Sequence, residues 1–145
     1  MRVIAPEEVY KLGECLEKLA EHHNEVSVNF KGAFPKKPVS ESLAIFEEAV
    51  RSGKSRIAVI EDGGRAVGFC KTDLIGIDGH IDILIVLKEY RGSGYGKLLM
   101  DWAVDDLKQR GAGRIEIRVV DGNDAVSFYE KYGFKTVSQI LRADL

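Results

Sequence analysis

A chain of 145 residues that is 45% hydrophobic and 30% charged has the make-up of a folded domain, which excludes a disordered or low-complexity segment. Its 21 basic and 23 acidic side chains leave a net charge of −2, without the basic excess that a dedicated nucleic-acid binder carries. The two cysteines, Cys15 and Cys70, stand far apart with no metal-ligand spacing, and no stretch approaches 18 apolar residues. The expectation is one domain spanning residues 1–145, in the reducing cytoplasm, with no metal, no nucleic-acid partner and no membrane segment.

Val3 and Ile4 open the chain as a short apolar run, and Pro6, Glu7 and Glu8 suit the first turn of a helix. Val9, Leu12, Leu16, Leu19 and His23 then recur at helical spacing. An irregular segment from Asn24 to Val39 carries Pro35, Pro38, Lys31, Lys36 and Lys37 and reads as a solvated loop. Ser40 is placed to cap a second helix, with Leu43, Phe46 and Val50 on one face and Gly53 as its stop.

The period then changes. Ile57–Ile60 and Ala66–Cys70 flank a Glu-Asp-Gly-Gly turn, and Asp78-Gly79 reads as a second turn before the apolar run Ile81–Leu87. That run fits a central strand covered on both faces. Leu98 to Arg110 is helical, with Leu99, Met100, Ala103 and Leu107 inward and Gly111 as the stop; Trp102 fits the same packing. Arg114–Val120 alternates as a strand, Asn123 can cap a short helix running to Tyr132, and Thr136–Leu141 reads as a last strand. The order predicts an α/β fold with a mixed sheet.

Arg91-Gly92-Ser93-Gly94-Tyr95-Gly96-Lys97 joins the buried strand to a helix. Glycines let the main chain bend tightly and approach a ligand, and the free N–H groups of a helix start favour an anion. With Lys88, Arg91 and Lys97 around it, the loop reads as a pyrophosphate cradle. A P-loop is excluded: only three residues separate Gly92 from Gly96, and Leu98 stands where Ser or Thr would hold magnesium. A dinucleotide fingerprint fits poorly, because the spacing is GxGxG and what precedes it looks like an antiparallel hairpin.

Arg-Gly-Ser-Gly-Tyr-Gly resembles the Arg/Gln-x-x-Gly-x-Gly/Ala loop of the GNAT acyltransferase superfamily. Asn123-Asp124-Ala125-Val126-Ser127-Phe128-Tyr129-Glu130-Lys131-Tyr132-Gly133-Phe134 is similar to that superfamily's closing segment. The two motifs stand in order, separated by a helix and a strand, and the resemblance spans roughly residues 56 to 142. It implies a largely antiparallel central sheet with a splayed parallel strand pair and helices on both faces. It also implies acetyl-CoA as cosubstrate, an amine-bearing acceptor, and direct attack on the thioester through a tetrahedral intermediate, and it leaves room for a homodimer.

By the same resemblance, main-chain groups of Leu84, Ile85 and Val86 hold the pantetheine arm, and the amides of Arg91, Gly92, Ser93, Gly94, Tyr95, Gly96 and Lys97 hold the pyrophosphate. Val86 N–H faces the oxyanion, and Tyr129 takes the place of the general acid. Asn123 is assigned to the cofactor, although it stands six residues before Tyr129 with Gly122 at the family's usual place. Asp82 and Glu116, on strands beside the expected cleft, are the candidate bases, with His80 a further one; burial of Asp82 would raise its pKa into a useful range. His22-His23 reads as compensation of a helix C-terminus, and Cys70 as core. A CoA-binding module without turnover, or an unrelated nucleotide-binding domain, are the competing classes.

Overall fold

The computed structural model describes residues 1–145. Its elements are β1 (Arg2–Val3), a 3-10 turn (Pro6–Leu12), α1 (Gly13–Val26), α2 (Val39–Arg51), β2 (Ser55–Asp62), β3 (Arg65–Ile75) and β4 (Asp78–Val86). After a second 3-10 turn (Lys88–Tyr90) come α3 (Tyr95–Gln109), β5 (Arg114–Ile117) and α4 (Val126–Glu130). The five strands form one sheet in sequence order, antiparallel from β1 to β4 and parallel between β4 and β5.

Helices cover both faces, as β3 shows. The Lys71 ammonium lies 4.8 Å from the Phe46 ring of α2, whereas the next residue, Thr72, hydrogen-bonds Asp106 of α3. Successive strand residues point to opposite faces, so α2 and α3 lie on opposite sides of the sheet. α1 joins α2, with the Cys15 thiol donating to Ala66 O. Phe69, Ile57, Leu99, Met100 and Leu107 are fully buried between these layers.

Four local expectations change. Ser40 lies inside α2, whose N-cap is Pro38 with no side-chain cap bond. The β3–β4 hairpin turns at Gly76-Ile77 rather than Asp78-Gly79, with Gly76 at φ +62°. Asp78 and Gly79 are already paired with Arg114 and Ile115 of β5. Gly79 serves close approach there, since a Cβ would sit 3.1 Å from Arg114 O and 3.2 Å from Leu107 Cδ1. The short helix is confined to Val126–Glu130, with Ala125 as N-cap.

The largest differences lie at the chain's end. β5 stops at Ile117 because its ladder to β4 stops there, so residues 118–120 run on without strand pairing. The strand expected at Thr136–Leu141 does not form. No neighbouring strand takes it up, and Val137, Ile140 and Leu141 are almost wholly exposed. Alternation prepares a strand, but the ladder needs a partner.

Candidate active site

β4 and β5 pair only from Asp78–Arg114 to Ile81–Ile117 and then separate. Hydrogen-bond alternation along β3 tells what the separation exposes. Leu87 N–H donates to Val67 O at 2.9 Å, so the pairs Ile85–Phe69 and Ile83–Lys71 are also hydrogen-bonded ones. Leu84 and Val86, opposite Cys70 and Gly68, are the intervening pairs, and their N–H and C=O groups point away from β3 into the gap. Of the three residues expected to hold a ligand through the main chain, Leu84 and Val86 therefore have groups to offer. Ile85 spends its own on Phe69, though it too lines the cleft.

At the Val86 end stands the glycine loop. Gly92 and Gly94 have φ of +85° and +83°, and a Cβ on either would meet nothing within 4 Å, so backbone conformation rather than space requires glycine there. Gly94 is the N-cap of α3, and the first helical bond runs from Leu98 N–H to Gly94 O. The amides of Tyr95, Gly96 and Lys97 thus have no preceding turn to bond and are free for an anion. Arg91 Nε donates to Val86 O at 2.9 Å, which ties the loop to the end of β4. The Lys97 ammonium is paired with Asp101 one turn on at 2.6 Å, so Arg91 is the less compensated charge.

These parts line one cleft of about 570 Å³. Its walls are Ile81–Val86, the loop from Tyr90 to Lys97 apart from Ser93, the unpaired residues after β5, and Asn123, Phe128 and Tyr129 beside α4. Asn123 Oδ1 accepts from Ala125 N–H at 2.9 Å, so it shapes the turn before α4 while lining the cleft. Phe128 reaches the start of α3, with its Cζ 4.0 Å from where a Gly96 Cβ would lie. Tyr129 is mostly buried, and burial raises its hydroxyl pKa, the Cys70 thiol adding to the effect. The hydroxyl is therefore a proton donor throughout the neutral range.

The candidate bases separate. Asp82 lines the cleft, but it is exposed rather than buried and is paired with Lys71 at 2.8 Å, so the expected desolvation is absent. Glu116 is exposed on β5 opposite His80, and neither residue lines the cleft. His22 and His23, set aside from sequence, do line it. His23 packs edge-on to Phe34 with ring centroids 5.1 Å apart, and burial lowers its pKa, which favours the neutral imidazole. Only their position just before a lysine-containing loop pointed to them. Cys70 is buried as expected, and its thiol is pushed up strongly by desolvation.

Asp121 also escaped the sequence reading. Its carboxylate accepts from Ser27 Oγ and from the N–H groups of Val28 and Asn29, fastening the end of α1 to the segment after β5. A Cβ on Gly122 (φ +78°) would lie 2.2 Å from Val26 O, so the same junction demands glycine.

The cleft is a mostly apolar slot, about 13 Å long from Asp82 to Val86 at about 3.3 Å per residue, with main-chain polar groups along its β4 edge and free amides at its end. The chain superposes on the crystal structure of a predicted acetyltransferase with acetyl-CoA from Clostridium acetobutylicum. The TM-score is 0.76 at 16% identity, covering 99% of this chain and 94% of that one, which is a likeness of fold. The fission yeast Schizosaccharomyces pombe N-alpha-acetyltransferase 30 is 37% identical over 87 residues, 56% of this chain and 58% of that protein. The ribosomal protein bS18-alanine N-acetyltransferase of Haemophilus influenzae is 29% identical over 76 residues, 52% of each chain. The chain thus spans a little over half the length of these relatives. The sequence model of the acetyltransferase (GNAT) family matches residues 17–134, a span that takes in the splayed strands, the glycine loop and α4, and the chain belongs to that family.

Proposed function

We propose that the protein is an acetyl-CoA-dependent N-acetyltransferase, with residues 1–145 acting as one catalytic domain in the cytoplasm. The observation that carries the reading is the alignment of the main-chain groups of Leu84 and the N–H of Val86, all turned away from β3, with the free amides at the start of α3. A pantetheine amide satisfies strand-edge groups that would otherwise lose hydrogen bonds. The pyrophosphate takes the amides of Gly92 to Lys97, Arg91 adds charge, and Asn123 lies alongside.

Bound acetyl-CoA supplies an activated acyl group. The chain's residues do the rest. Val86 N–H donates to the oxygen that gains charge as the amine attacks. Tyr129 OH donates to the departing sulfur. Asp82, at the other end of the slot, draws in the incoming ammonium, whose proton leaves through water before the free amine attacks. Glu116 stays a weaker candidate for that task, because it lies off the cleft lining.

Similarity to an N-alpha and a ribosomal-protein alanine acetyltransferase supports peptides with a free α-amino group as the first acceptors to try. The test is a panel of amines (such peptides, glucosamine 6-phosphate and spermidine) incubated with acetyl-CoA while free thiol is read. Amine-dependent thiol release is the expected result. Tight CoA binding with no release for any amine would turn the reading into a CoA-binding module.

A further inference from the structure

β3 and β4 fall out of register between Lys71 and Thr72: Lys71 faces Ile83, Thr72 faces Ile81, and Asp82 is left without a partner. Asp82 is thus the extra residue of a β-bulge, a device that re-aims a side chain. It is aimed at Lys71. The Lys71 side chain is 5% exposed, and its ammonium donates to Asp73 Oδ1 at 2.7 Å and to Asp82 Oδ2 at 2.8 Å, with the Phe46 ring 4.8 Å away. Asp73 Oδ1 also accepts from Ser55 Oγ and is itself only 13% exposed.

One ammonium thus faces two carboxylates. The pairing leaves an excess negative charge, and it falls on the more exposed member: Asp82 is 43% exposed and lines the cleft. Lys71 is enclosed by its two carboxylates and an aromatic ring, so it is not itself placed for chemistry. It holds one oxygen of Asp82, while Oδ1 has no donor in the chain. Other charged or titratable groups facing this cleft are His22 and His23 from α1, Tyr90, Arg91, Tyr95 and Lys97 by the loop, Arg118 after β5, Asp124 and Tyr129.

We infer that Lys71 is a positioning residue for the acceptor: it fixes Asp82 at the bulge so that the free carboxylate oxygen receives a primary ammonium group. The inference rests on the proposed acetyl transfer. It goes further in naming the carboxylate that meets the acceptor's ammonium and the buried residue that holds that carboxylate in place.

The test uses the CoA-saturated protein, in which no turnover occurs, and measures binding of two probes by calorimetry: a tetrapeptide with a free N-terminal alanine, and spermidine. The N-acetylated tetrapeptide is the control. Asp82→Asn should weaken the tighter probe at least ~10-fold, and Lys71→Met at least ~5-fold, with CoA affinity unchanged in both. Lys71→Arg should recover most of the loss. In the double variant the Lys71 change should add nothing to Asp82→Asn, because it acts through that carboxylate. In turnover, the loss should fall on the acceptor KM and kcat while the acetyl-CoA KM stays constant. Should Lys71→Met misfold, Lys71→Met with Asp73→Asn removes the orphaned inner carboxylate and serves in its place. Additive effects, an unchanged probe Kd in a folded Lys71 variant, or equal loss for the N-acetylated control would each overturn the inference. So would a wild type that binds CoA but neither amine. Absent CoA binding would instead remove the proposed function beneath it.

Discussion

Asp121 accepts a hydrogen bond from Ser27 Oγ at 2.8 Å, joining residues 94 apart in sequence. The same carboxylate holds Val28 N–H and Asn29 N–H, each at 2.9 Å, so three donors at the exit of α1 converge on the segment that walls the cleft. Asp121→Ala should therefore free the loop after α1 while leaving the sheet intact. Hydrogen exchange at Val28 and Asn29 should speed up at least ~10-fold, with core strands unchanged. The pH dependence has a definite sign. Main-chain donation from Asn29, then the Ser27 hydroxyl, hold the Asp121 pKa below its ordinary 3.8. Its contribution is present in full above that value and is lost as pH falls below it, so the two amides should lose protection only in acid.

A second prediction concerns the glycine loop. Gly96 has ordinary helical backbone, and its nearest neighbour is an aromatic edge at 4.0 Å, so Gly96→Glu can be built without strain. It sets a carboxylate at the first turn of α3, where an anion is expected. The variant should keep its melting temperature within a few degrees and lose CoA binding. Wild type with acetyl-CoA at 100 times Kd should gain about 2.7 kcal/mol of stability, and NAD or ATP should give no shift. A folded Gly96→Glu protein that binds CoA tightly would remove the cradle from the site.

Much of this arrangement was legible in the sequence. Gly63-Gly64, Gly111 and Gly133 all take positive φ where turns or helix ends were expected, because left-handed backbone narrows the choice of residue. The apolar periods of α1, α2 and α3 match the buried faces that are seen. What was not legible depends on partners distant in the chain. The end of β5 is set by divergence from β4, not by its own alternation through Val120. Asp82 read as a carboxylate in an apolar strand, yet a one-residue bulge turns it toward Lys71, and no local pattern announces a bulge. The histidines of α1 enter the cleft only because α1 packs across β3 and β4.

Asp106 was likewise missed, although its spacing from Leu99 and Ala103 sets it on the buried face of α3 beside Leu107. Its carboxylate is 1% exposed and accepts from Arg56 at 2.7 Å, Thr72 at 2.9 Å and Arg110 at 3.0 Å. Arg110 also donates to Gly53 O and Lys54 O, so one buried acid joins α3 to the start of β2. Asp106→Leu takes the carboxylate from two guanidinium groups and a hydroxyl. It should cost about 3 kcal/mol, read by urea unfolding, with CoA affinity of the folded fraction unchanged. A loss below about 1 kcal/mol would mean that the arginines find water instead.

Tyr129 is the residue placed to assist the departing sulfur. Its ring packs against Phe128 with centroids 5.5 Å apart and against Phe134 at 6.2 Å. Those contacts survive in Tyr129→Phe, so stability should change by less than about 1 kcal/mol. The hydroxyl's raised pKa, caused first by burial, keeps it protonated at neutral pH. It can then donate to a thiolate, but a thiol near ~8.5 is the stronger acid, so full proton transfer runs uphill. The group should matter as charge grows on sulfur and hardly at all before. We expect kcat to fall at least ~10-fold, toward the lower end of the 10²–10⁴ range of a positioned acid. The acetyl-CoA KM should stay within about twofold, since ground-state binding uses the loop and the β4 edge. Normal turnover by Tyr129→Phe with an accepted amine would make the tyrosine a packing residue. The leaving sulfur would then draw its proton from water at the cleft mouth.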